Sequence, residues 1–263
     1  MSKLLQITMA LCLLGSQSAI ALSRFQELTI VFDTTVATSA GPVSRQDGLE
    51  QVKSGSLGIL ELAIAPTVQV EALDRTSEGV LLVPDITTEV FGIEVSPRDV
   101  LGMAIDSPPW IAFSAESIGL EPPARIVAID AFGEGLLFVV SSATELNGIV
   151  IGPRDIAYFD GQQTTILIAA DTLGIEGTAK ITALESSVQG NVVFSIRGGA
   201  LSGYPRAESG ALFVYHSDTG DIRQVEPASN TEGSCASCKL RAIAGTLDED
   251  VIFQSNFNSL EVR

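Results

Sequence analysis

Four short strings recur along the chain: residues 70–74 (VEALD), 126–130 (IVAID), 181–185 (ITALE) and 240–244 (LRAIA). Their alanines, at 72, 128, 183 and 242, keep an interval of about 55 residues. Across a short polar turn each is followed by a second apolar run, at 80–83, 136–140, 191–196 and 251–254, and residues 28–32 read the same way. These runs are rich in Val, Ile, Leu and Phe and bounded by Gly, Asp or Ser, which predicts buried strands rather than helices.

A second marker keeps the same interval. Residues 92–100 (GIEVSPRDV) match 148–156 (GIVIGPRDI) almost position for position, with looser versions at 41–47 (GPVSRQD) and 203–208 (GYPRAE). A fourth element follows each time, at 57–63, 110–114, 165–169 and 222–225. Each copy therefore holds about four short strands, and one such sheet cannot bury both faces without neighbours stacked on it. The expected fold is all-β: a small β-propeller of four to five sheets, with an open or tandem β stack as the alternative. The copies fall at 25–69, 70–125, 126–180 and 181–239, with a partial one at 240–263. Read as the first two strands of a further unit, that tail gives five sheets. Read as a strand, 240–245, that closes the ring against the N-terminal copy, it gives four. The five-sheet count is the expectation.

Residues 1–21 read as a secretory signal: Lys3 is the positive start, residues 4–14 the apolar stretch, and Ala19-Ile20-Ala21 the small-x-small cleavage site. The mature domain is then 22–263, exported to the periplasm or beyond, with no later run long enough for a membrane span. The chain has 15 basic and 32 acidic residues, a net charge of −17. So acidic a surface repels nucleic acid and anionic lipid, and suits a divalent cation, a basic protein partner or simple solubility.

Cys235 and Cys238 form a lone CxxC beside a single histidine, His216, which rules out the usual zinc set and points to a local disulfide in an oxidising compartment. They lie in the largest departure from the repeat, residues 226–239, the expected contact loop. The once-per-copy pairs Arg45/Asp47, Arg98/Asp99, Arg154/Asp155 and Arg206/Glu208 can tie each turn to the next sheet, or line one mouth of the channel. The adjacent prolines favour the turn reading. Asp74, Asp130 and Glu185 form a second periodic set, broken by Ala244. They can face the channel and hold a cation, or accept backbone N–H bonds where a turn starts, and the second is preferred. Asp218/Asp221 and Asp248/Asp250 are weak calcium candidates without the EF-hand pattern. No GxSxG elbow is present; Gly55-Ser56-Leu57-Gly58 has the wrong spacing. Trp110, after Pro108-Pro109, can serve as a sugar platform or as packing.

The run from Ala128 through Gly161 resembles repeats in secreted bacterial proteins with propeller-like sequences, across nearly the whole mature chain. That resemblance implies the fold and brings no activity or functional residue with it. Residues 251–257 (VIFQSNF) are similar to short tails of some exported gammaproteobacterial proteins. The expectation is an exported, non-enzymatic binding or scaffold module engaging a protein or glycan, with no cofactor other than calcium. The alternative is an extracellular hydrolase or lyase working with carboxylates at the channel mouth.

Overall fold

The computed structural model describes residues 25–32, 36–38, 41–44, 46–51, 57–62, 64–104, 107–187, 190–204, 212–224 and 240–247. The first repeat runs through β1 (Phe25–Phe32), a small hairpin of β2 (Val36–Thr38) and β3 (Gly41–Val43), then β4 (Gly48–Gln51) and β5 (Leu57–Leu60). The second comprises β6 (Val70–Arg75), β7 (Val80–Pro84), the hairpin β8 (Thr88–Val90) and β9 (Ile93–Val95), β10 (Val100–Ala104) and β11 (Ser107–Phe113), ending on helix α1 (Ala115–Ile118). The third repeats this order: β12 (Ile126–Phe132), β13 (Gly135–Val140), β14 (Thr144–Leu146), β15 (Ile149–Ile151), β16 (Ile156–Phe159), β17 (Thr164–Ile168) and helix α2 (Ala170–Leu173). The last has β18 (Ile175–Glu176), β19 (Lys180–Ser186), β20 (Val192–Arg197), β21 (Ala200–Leu201), β22 (Leu212–Tyr215) and β23 (Ile222–Gln224). Finally β24 (Leu240–Leu247) returns to the start.

The large sheets are four antiparallel meanders: β24-β1-β4-β5, β6-β7-β10-β11, β12-β13-β16-β17 and β19-β20-β22-β23. Their first strands touch in a cycle, β24 on β6, β6 on β12, β12 on β19 and β19 on β24. A closed ring of radially arranged four-stranded sheets is a propeller. The expected fold class is thus observed, and the five-sheet count is corrected to four among the described residues. Strand β24 pairs with β1, Ile243 opposite Ile30 and Ala244 opposite Thr29, and completes the first sheet. The pairing joins the first and last of the described strands and closes the ring. The expected strand at 251–254 lies outside the described residues, as do the segment 1–21, both cysteines and the loop 226–239.

Alternate residues of each inner strand pack toward opposite neighbours, because side chains of a strand alternate between faces. Leu73, with Leu82 and Leu101, meets Val31 and Leu62 of the first repeat. Ala72 and Leu81 of the same sheet meet Ile129, Leu136 and Phe138 of the third. Ala128, Leu137 and Val139 in turn meet Leu184, Phe194 and Phe213. Burial on both faces explains why β13, Gly135–Val140, is apolar throughout.

Two features add to the expected pattern. The stretch read as one third strand holds a small hairpin before it, turning on Phe91-Gly92 in one copy and Asn147-Gly148 in the next. The short helices α1 and α2 follow the outer strands of the second and third sheets.

Candidate functional site

The periodic acids converge on the ring axis. Asp74, Asp130 and Glu185 hold the same register on three inner strands, opposite Leu81, Leu137 and Val193. One carboxylate oxygen of each lies within 4.8 Å of the others. All three are buried, with 2%, 2% and 4% of their surface exposed. In the first sheet the position belongs to Ala244, so the ring of four is broken at one place.

Asp74 accepts hydrogen bonds from the backbone N–H groups of Arg75 (2.5 Å) and of Ala131 on the next inner strand (2.8 Å). Ser186 Oγ donates a hydrogen bond to Asp130, repeating the link one sheet further on. The preferred reading of these acids as local turn carboxylates holds for Asp74, which accepts from its neighbour Arg75, and is incomplete: Asp74 and Asp130 also accept from the next inner strand, and all three acids meet in one cluster. Burial pushes Asp74 up to about 6 and Asp130 to about 7, the charge on Asp74 adding to the rise at Asp130. Three acidic oxygens at this spacing have the donor chemistry of a hard cation. Asp74 and Asp130 also have donors of the protein's own engaged on them.

The Arg–Asp pairs do different work. Asp155 accepts from the backbone N–H groups of Gly152 and Ala170, both at 2.7 Å, and so caps helix α2, whose N-cap residue Ala169 has no side chain to do it. Asp99 accepts from Ser96 N–H and Oγ–H and from Ala115 N–H at the start of α1. The partner arginines reach the far end of the same segments. Arg98 donates to the carbonyl of Leu120 (3.0 Å) and Arg154 to those of Ile175 and Gly177 (3.1 and 3.2 Å). Each pair thus ties the turn before the third strand to the connection after the fourth.

In the first copy Ser44 Oγ donates to Asp47 at 2.6 Å, as Ser96 does to Asp99. By this alignment Gln46, not Arg45, stands where Arg98 does. Arg45, Arg206 and Glu208 lie outside the described residues. Asp218 and Asp221 are exposed in the turn between β22 and β23, where backbone bonds between His216 and Asp221 and between Gly220 and His216 close the loop. They are not part of any group of three potential metal ligands among the described residues. Asp248 and Asp250 lie outside those residues.

A cleft that no motif announced opens between the first and second sheets. Its volume is about 920 Å³, and Leu60, Glu61 and Leu62 line it on the side of the first repeat. Arg75, Glu78, Met103 and Trp110 line it on the other. Trp110 is opposite Gly102, and the pairing continues inward through Leu81 to Asp74, so cleft and axial cluster share one cross-strand row. A Cβ at Gly102 would lie 2.3 Å from the indole, so glycine lets the ring lie against the sheet. Trp110 keeps 36% of its surface exposed.

No protein-family model matches the chain. No curated protein matches it either. Solved structures do. YCF48 bound to a D1 peptide aligns at 10% identity over 80% of this chain and 56% of that one, with a TM-score of 0.32. The extracellular domain of a putative hybrid two component system from B. thetaiotaomicron aligns at 10% identity over 76% and 28%, with a TM-score of 0.34. Virginiamycin B lyase from Staphylococcus aureus aligns at 9% identity over 79% and 89%, with a TM-score of 0.35. The chain spans less than two thirds of the length of the first two. The ring assignment rests on this chain's own strand order. Among the described residues no helix is long and apolar enough to cross a membrane.

Proposed function

We propose that this chain is an exported, non-catalytic binding module that engages a protein or glycan outside the cytoplasm through the cleft between its first two sheets. The observation that carries this reading is the cleft itself: about 920 Å³, apolar at Leu60, Leu62 and Met103, polar at its rim, with a half-open indole in its wall. Binding sites are concave, mostly apolar and furnished with a few polar groups, and this one fits that description. The secretory pattern of residues 1–21 supports the address. The axial acids are sealed beneath the surface, so a hydrolase or lyase of the kind considered above could not bring them to a substrate.

The test is binding of the mature chain to printed glycan and peptide arrays, beside an Ala104→Trp variant that fills the cleft. A related set of spots lost in the variant is the expected result. No spots at all, or spots indifferent to the filling, would remove the cleft from the account.

A further inference from the structure

The cleft's chemistry narrows the class of ligand, and this step rests on the binding reading above. Glu61 and Glu78 stand at its rim from different repeats, both exposed, and neither forms an ion pair among the described residues. Arg75 is half-buried, with its Nη1 sealed from solvent. The cleft's lining thus combines two exposed carboxylates without an ion pair among the described residues, the half-buried Arg75 and the indole of Trp110. Leu60, Leu62 and Met103 give the floor an apolar surface between them.

We infer that the cleft takes a basic peptide segment, an Arg or Lys side chain laying its charge between Glu61, Glu78 and the Trp110 ring. A long cationic side chain matches both parts of the site. Its methylene stem covers apolar floor while its head pairs with carboxylate and aromatic face. A volume of about 920 Å³ is at the upper end for a small-ligand pocket and holds a few residues of chain. The charge of the whole molecule, −17, attracts such a segment and steers it at low salt. A neutral glycan would use the indole but gain nothing from this field.

Trp110 is the sole tryptophan, so its emission reports this cleft alone. The full chain is titrated at low salt with a hexapeptide of alternating arginine and glycine, with its glutamate counterpart, and with a neutral hexasaccharide. The expected result is a saturable shift in emission with the arginine peptide only, weakening as salt rises. The E61Q/E78Q variant should bind that peptide roughly 2- to 30-fold more weakly. The E89Q/E94Q variant, which removes the same charge from the exposed hairpin of β8 and β9, should bind as the parent does.

Equal weakening in both variants would mean diffuse attraction to an acidic surface and overturn the inference. So would silence of the indole toward all three probes. A shift with the hexasaccharide and none with the peptide would overturn it too, while leaving the binding-module reading intact.

Discussion

Oδ2 of Asp74 accepts a 2.8 Å hydrogen bond from the backbone N–H of Ala131, 57 residues further along the chain, so a side chain of the second sheet closes on the inner strand of the third. Both Asp74→Ala and Asp74→Asn remove a buried charge, but only alanine leaves that N–H without an acceptor. A buried donor stripped of its partner costs about 1–3 kcal/mol. The asparagine variant should therefore be the more stable of the two by about that amount in denaturant titrations. Amide exchange at Ala131 should quicken in the alanine variant alone. Equal stabilities would show that the bond does not hold the sheets.

The axial cluster also sets how stability depends on pH. Asp130 sits at about 7 and Asp74 at about 6, above the ordinary 3.8, so the folded chain holds these protons more tightly than the unfolded chain. Between about pH 4 and 7 the folded state binds the extra protons, and stability falls as pH rises through that window. The contribution is full below the unfolded value and gone above the folded ones. Melting curves from pH 4 to 8 should show this decline, and Asp130→Asn, which carries no charge, should flatten it. An unchanged slope in that variant would place the decline elsewhere among the 32 acids.

Much of the ring was legible because repetition and strand chemistry are local. The strings around Ala72, Ala128 and Ala183 are the inner strands, and the runs after them are the second strands. The closing of the ring was not legible, since residues 240–244 have the same apolar pattern whether they begin a new sheet or complete the first. Only the distant pairing of β24 with β1 decides it. The spacing of Asp74, Asp130 and Glu185 was visible, but their meeting depends on how three strands converge on an axis, which no spacing encodes. Asn147-Gly148 was a signal for the small hairpins, as Asn-Gly is the usual two-residue turn. The cleft draws on residues from two repeats. Its sequence traces are Trp110, already a candidate platform, and Gly102, where the third sheet has Tyr158 in the matching row.

The cap on α2 comes from outside the helix, which makes a rescue possible. Asp155→Ala removes acceptors from Ala170 and Gly152, and with Ala169 at the N-cap nothing replaces the first. The loss should be about 1–3 kcal/mol. Adding Ala169→Ser supplies what Ser114 gives α1, a hydroxyl accepting from the first turn, and should recover about 1 kcal/mol. Paired denaturation curves test this; a serine without effect would mean that the first turn of α2 gains nothing from a hydroxyl cap of its own.

Phe91 occupies a left-handed backbone conformation, φ 50°, in the turn where the next repeat has Asn147 at φ 51°. The residue is 68% exposed, so burial does not offset the steric cost. Left-handed backbone costs an ordinary residue about 1–2 kcal/mol, and asparagine less. Phe91→Asn should raise stability by about 1 kcal/mol, and Asn147→Phe should lower it by the same amount. Melting temperatures of the two single variants would measure both; a stabilising Asn147→Phe would contradict the steric account.

Gly102 and Trp110 form a pair whose coupling can be isolated. A methyl at residue 102 would sit 2.3 Å from the indole, so Gly102→Ala must push the ring outward or bend the strand. Overpacking of this kind costs about 1–3 kcal/mol. If the glycine is there only to seat the ring, the cost should vanish when Trp110→Ala is already present, and the double-mutant cycle reads the difference. In the single variant the emission of the sole tryptophan should shift red as the indole moves into water. A cost that persists without the indole would instead assign Gly102 to the backbone of β10, and the cleft would lose the feature that holds its aromatic wall.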